Sequence, residues 1–269
     1  MINDRFEMQR AALVLTYRCN LKCKLCGAYS PYYDSPLHFS LEYLKKSIDK
    51  YFQIIDYVGK FVLTGGEPLL HKELPRVLDY LAQYNNKIGI IEIFTNGTIV
   101  PNEKLIETIK RNKEKIHFLV DDYGKVSNNV AEIDSVLKNS DVIYKIRKYH
   151  GNDAHCGGWV DYIDLSKKHE DLQSIKEKFS KCAYPQKMEF CFIIKKDGEM
   201  HPCSPSFRCM ELGYISKNQD EYIDLFDDLS VEVKRKKIKA ILNAKSLAAC
   251  AFCNGLCEDS ERFSPAEQL

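Results

Sequence analysis

The sequence predicts an α/β fold: an open, partial βα barrel over residues 1–165 and a small β-hairpin and helix domain over residues 166–269. Short runs rich in β-branched residues alternate with stretches of helical period about five times before residue 150, and parallel strands need such crossover helices between them. Five units are too few to close an eight-stranded barrel. Past residue 165 the alternation stops, and cysteines gather around a hairpin signal and a basic helix.

Residues 11–15 (AALVL) read as the first strand and run into a cysteine-rich loop. Ser40 is placed to cap a helix in which Leu41, Leu44, Ile48, Tyr51 and Ile55 recur at helical spacing. Residues 60–64 (KFVLT) form the second strand, and Leu74, Val77, Leu78 and Leu81 mark the next helix. Residues 88–94 are rich in β-branched side chains and stop at Asn96-Gly97, a turn signal. Pro101 suits the start of a helix carrying Leu105, Ile106 and Ile109. Strand 116–120, helix 130–137 and strand 142–146 complete the alternation. A charged helix then spans 172–179, and strands 188–194 and 199–201 flank the turn Lys196-Asp197-Gly198. The active site of such a fold belongs at the carboxyl ends of the strands, where the βα loops gather.

Composition narrows the function. The formal net charge is +1, which argues against a dominant nucleic-acid or membrane-surface footprint. The run KRKKIK at 234–239 reads as the solvated face of a helix. Residues 1–10 are polar with no apolar signal core, and no run is long enough to span a bilayer, so a cytoplasmic location is expected. Disulfides are rare in that compartment, and metal ligation is the leading account of eleven cysteines.

Cys19-x3-Cys23-x2-Cys26 sits in the loop after the first strand. Three thiolates hold three irons of a cubane and leave the fourth iron open to a cofactor or substrate. A zinc site is the alternative, although zinc usually takes four ligands in two pairs. The spacing resembles the signature of the radical S-adenosylmethionine (SAM) superfamily. Leu25 departs from it, standing where that family usually carries an aromatic residue near adenine. Gly65-Gly66-Glu67-Pro68 after the second strand is similar to the family's SAM-binding GGE motif, with Glu67 as acceptor for the ammonium. Thr95-Asn96-Gly97 resembles the segment passing near the SAM ribose. The resemblance implies a [4Fe–4S] cluster on Cys19, Cys23 and Cys26, and SAM bound to its open iron. It also implies a 5′-deoxyadenosyl radical that abstracts hydrogen from a C–H bond, and a low-potential electron donor such as flavodoxin or ferredoxin.

Cys182, Cys203, Cys250 and Cys253 place four more thiols in the second part, suiting a second [4Fe–4S] cluster or a Zn(Cys)4 site. The arrangement resembles the auxiliary-cluster domains called SPASM and Twitch, the shorter Twitch form most. Cys257, Cys209 and Cys191 remain open as replacements, with Cys191 read as a buried thiol.

The segment from Arg147 to Trp159 follows the fifth strand and concentrates cations, glycines and the single Trp. Arg147, Asp153 and His155, with Asp121 and Asp122 past the fourth strand, are the candidate substrate-binding residues. Cys156 is the candidate catalytic thiol, donating hydrogen in an epimerisation. Among the resemblance's possible reactions, the start of the barrel near residue 11 leaves no separate peptide-recognition domain. That favours epimerisation or dehydrogenation of a small, polar, sugar-like substrate. A peptide-modifying maturase and a non-catalytic Fe–S or zinc protein are the alternatives.

Overall fold

The computed structural model describes residues 5–217 and 220–269; of the polar opening stretch, residues 1–4 lie outside it. The barrel part consists of β1 (Glu7–Thr16), α1 (Leu41–Ile54), β2 (Tyr57–Gly65), α2 (Leu74–Leu81), β3 (Ile88–Thr95), α3 (Glu103–Lys110), β4 (Ile116–Asp122), α4 (Val130–Asn139) and β5 (Ile143–Lys148). There follow α5 (Leu172–Lys181), α6 (Ala183–Lys187), β6 (Phe192–Ile194), β7 (Glu199–His201), α7 (Ser204–Glu211), β8 (Ile223–Asp224) and α8 (Val231–Leu242). The strands form one open sheet in the order β5-β4-β3-β2-β1-β6-β7-β8. β1 to β6 pair in parallel, and β7 and β8 run antiparallel.

Burial explains the pattern of each strand. β1 lies mid-sheet with residues 11–16 all buried, as a parallel strand covered on both faces should be. β5, at the edge, leaves Ile143 exposed. The Ser40 hydroxyl accepts from Tyr43 N at 3.2 Å and starts α1 as expected. At α3 the side chain of Asn102, not Pro101, sets the start: it accepts from Leu105 N at 2.9 Å, leaving Pro101 one residue outside.

The hairpin forms, with a shorter first strand than 188–194. Residues 183–187 coil into α6, and Glu189 and Phe190 take left-handed φ of 47° and 56°, so pairing begins only at Phe192. Asp197 and Gly198 turn the hairpin at φ 61° and 74°. β6 adds to β1, aligning Ala11 with Phe192 and Leu13 with Ile194. One sheet and one main core therefore run across residue 165.

The basic helix departs from a wholly solvated face. Lys234 is buried, its ammonium donating to the carbonyls of Leu225 and Asp227. Arg235 grips both oxygens of Asp56 at 2.9 Å and donates to Ile54 O at 2.7 Å, docking α8 onto the end of α1. Among the described residues no helix is long and apolar enough to cross a membrane.

Candidate active site and second cysteine centre

At the carboxyl end of the sheet the loop after β1 lies across the end of β2. Gly66 N donates to Thr16 O at 2.7 Å and Glu67 N to Arg18 O at 2.9 Å. A Cβ on Gly65 would stand 2.2 Å from Thr16 O, and one on Gly66 2.1 Å from Arg18 O. The two glycines are thus required by the crossing of two loops, a backbone approach inside the protein.

That crossing brings Cys19, Cys23 and Cys26 to the wall of one cavity of about 170 Å³, together with Gly65, Gly66, Thr95 and Asn96. Leu21 N donates to the Cys19 sulfur at 3.4 Å, and the Gln268 amide to the Cys23 sulfur at 3.3 Å. Burial pushes the Cys19 thiol up to about 12 and the Cys23 thiol to about 11, so iron must displace their protons to bind. Leu25 is half-buried and Pro68 buried, and neither lines this cavity.

Glu67 departs from its expected role. Its side chain is fully buried, with one oxygen accepting from Leu69 N at 2.9 Å and the other from Asn96 N at 2.8 Å. It pins the glycine loop to the end of β3 and does not reach the cavity. Burial lifts its carboxyl to about 7, against the pull of those amides.

Asp121, Tyr123, Phe94 and Trp159 line the same cavity as the cysteines. Arg147 clamps Asp121 through Nε at 2.6 Å and Nη2 at 2.8 Å, and its guanidinium lies 4.9 Å from the Phe94 ring centre. Burial nevertheless holds the Asp121 carboxyl above its ordinary range. The other candidates do not line the cavity, although His155 is a charge neighbour of Asp121. Asp122 accepts from Gly124 N at 2.8 Å and contacts His150 at 3.0 Å. Asp153 pairs with Lys148 on the surface, and His155 sets its ring edge-on to Tyr149. Cys156 is exposed at φ 56°, outside the cavity wall where a hydrogen donor would have to stand. Phe94 and Tyr123 were missed as site residues; their signal is their place at the ends of β3 and β4.

Cys182, Cys203, Cys250 and Cys253 line a second cavity together. Gly255 N donates to the Cys253 sulfur at 3.2 Å and Leu256 N to the Cys182 sulfur at 3.4 Å. Among the described residues no three Cys, His, Asp or Glu side chains close on one ion-sized point. A cubane asks for less, since each thiolate goes to a different iron. The Tyr162 hydroxyl, on this cavity's lining residue, is buried without a hydrogen-bond partner, as is that of Tyr29. The ionisable neighbours of both phenols include Cys203 and Cys253. Four sulfurs, two amide donors and orphaned hydroxyls fit a buried cluster rich in sulfide acceptors. Cys257 stays outside, its thiol donating to Lys178 O at 3.6 Å. Cys209 packs in a small apolar cluster beside Cys250 and Cys253, and the ionisable neighbours of Cys191 include Arg10, Glu92 and Tyr184, neither thiol lining the cavity itself.

A sequence profile of the Radical SAM superfamily matches residues 13–152. The antilisterial bacteriocin subtilosin biosynthesis protein AlbA of Bacillus subtilis (strain 168) is 36% identical over 118 residues, 42% of this chain and 24% of that protein. GTP 3′,8-cyclase of Helicobacter pylori (strain HPAG1) is 33% identical over 103 residues, 36% of this chain and 29% of that protein. The chain thus spans roughly a quarter of the length of these curated relatives. Among solved structures, anSMEcpe with bound AdoMet superposes with a TM-score of 0.56 at 15% identity, covering 96% of this chain and 92% of that one. BtrN in complex with AdoMet and 2-DOIA gives 0.55 at 19% identity, covering 96% and 97%. These two likenesses establish the fold. The profile covers more than half of the 269 residues, and the chain belongs to the radical SAM superfamily, whose members bind a [4Fe–4S] cluster and SAM.

Proposed function

We propose that this radical SAM enzyme oxidises a carbinol carbon of a small, polar, carbohydrate-like substrate to a carbonyl. The observation that carries the reading is Asp121, which lines the same cavity as the three cysteines, Phe94, Tyr123 and Trp159 and is clamped from behind the lining by Arg147. When bound, the first cluster with SAM supplies a 5′-deoxyadenosyl radical, and a cluster at the Cys182 group supplies a one-electron sink. The chain's own residues do the rest. Cys19, Cys23 and Cys26 hold the first cluster, and the glycine loop and Asn96 shape the SAM side. The aromatic wall excludes water.

Oxidation removes one hydrogen atom from carbon, then one electron and the hydroxyl proton. Asp121, kept basic by burial and oriented by Arg147, is the wall's group for that proton. Epimerisation instead needs a hydrogen returned to the opposite face, and Cys156 lies outside the cavity. The fold accommodates either class of substrate, since BtrN solved with 2-DOIA and anSMEcpe solved with a bound peptide superpose on this chain equally well. Peptide modification is the second reading, favoured by the 36% identity to AlbA.

The test supplies reduced, reconstituted enzyme and SAM with panels of aminocyclitols, sugars and peptides. Polyols should accelerate 5′-deoxyadenosine formation and yield a ketone without solvent deuterium at carbon. Acceleration by peptides alone would reject the substrate class, and an epimer carrying one deuterium from D2O would reject the reaction.

A further inference from the structure

Residues 263–269 tie together parts of the site that lie far apart in sequence. Phe263 and Trp159 exchange backbone hydrogen bonds of 2.9 and 2.8 Å, anchoring the cavity's aromatic wall. The chain then turns at Ala266, buried at φ 55°, and pairs antiparallel with the cysteine loop at Gln268 and Cys23. Lys24 N donates to Glu267 O at 2.7 Å and Leu269 N to Lys22 O at 2.9 Å.

The Gln268 side chain uses both ends of its amide. Oε1 accepts from Lys22 N at 2.7 Å, while Nε2 donates to Ala266 O at 2.7 Å and to the Cys23 sulfur at 3.3 Å. Its orientation follows from the partners. A flipped amide would set its oxygen against the Ala266 carbonyl and its NH2 against the Lys22 N–H, two repulsive contacts in place of two bonds. The donor is therefore held on the sulfur by groups that have no part in the chemistry. Leu21 N and Asn96 Nδ2 donate instead to the Cys19 sulfur.

We propose that residues 263–269 are a strap holding the first cysteine loop, and that Gln268 is a positioning residue whose N–H···S bond to Cys23 tunes the reduction potential of the cluster on that loop. The proposal rests on Cys23 as an iron ligand. Reduction adds negative charge to the cluster and its thiolates, so a donor on sulfur stabilises the reduced form. Removing it makes the potential more negative and SAM cleavage harder to start.

Gln268→Met keeps length and volume and removes the donor. In the full, anaerobically reconstituted chain, an EPR-monitored titration should show the first cluster's reduction equilibrium shifted about tenfold toward the oxidised form. That corresponds to about 59 mV for one electron. Iron content should be unchanged. In wild type grown with 15N-glutamine, pulsed EPR of the reduced first cluster should show a 15N coupling that the Met variant lacks. A potential moved less than twofold in equilibrium with full iron overturns the proposal, as does a wild-type spectrum without the coupling. A variant that fails to load iron leaves the wild-type spectrum to decide. A wild-type chain with no cluster at the first site would instead sink Cys23 as a ligand, and the proposal with it.

Discussion

Glu67 shows how a residue in the right motif takes a different job. As a free acceptor it would meet SAM; folded, each oxygen is already engaged by a backbone amide and the group is sealed from solvent. Its pKa rises from 4.5 to about 7. A carboxyl raised on folding contributes stability that is whole below the unfolded value and is lost as the pH climbs through the folded one. The change is about 3 kcal/mol between roughly pH 4.5 and 7. Glu67→Gln removes this titration at the constant cost of a disturbed amide bond. In urea unfolding at several pH values, the variant should gain on wild type by about that amount across the window. A flat difference would show that Glu67 ionises normally in the fold. Asp121 makes the complementary case. The sequence put it just past a strand ending at residue 120; β4 in fact runs on to Asp122, and that extra pairing brings Arg147 from β5 onto Asp121, by the register that aligns the two residues.

At the scale of elements, helix α8 was legible as a helix, and its face is the solvated one only in part, at the exposed Lys236 and Lys239. Its positive charge suggested solvent, yet Lys234 and Arg235 face the body of the protein because Asp227, Asp56 and exposed carbonyl ends of neighbouring elements meet them there. Arg235→Ala should lower stability by about 1–2 kcal/mol in denaturant unfolding, a discounted figure because the pair is partly solvated. An unchanged midpoint would return α8 to the role of a solvated helix. The hairpin is a similar lesson. Lys196-Asp197-Gly198 announced its turn, but the residues before β6 were β-like in composition and left-handed in fact. Side-chain type alone does not report such a break.

Across the whole molecule, the two cysteine groups predict a count. Reconstituted chain should hold about eight irons, and replacing Cys182, Cys203, Cys250 and Cys253 together should leave about four, with the SAM-side signal retained in Mössbauer and EPR spectra. Zinc in the second cavity of anaerobically purified protein would reject its assignment as a cluster site. Local spacing was enough to read the barrel's strands and helices, the first cysteine loop and the Gly65-Gly66 turn. Period, turn residues and short loops act between neighbours in sequence. The meeting of Cys182, Cys203, Cys250 and Cys253 was expected from their number and their place around the hairpin, and the folded chain brings all four to one cavity. The joining of the hairpin to β1, the exposure of Cys156, the burial of Lys234 on the basic helix and the strap at Gln268 were not legible. Each depends on contacts between residues far apart along the chain, as with Gln268 and Cys23. Such contacts are decided by how the sheet and its covering helices pack, because no local propensity encodes which distant surface a side chain will meet.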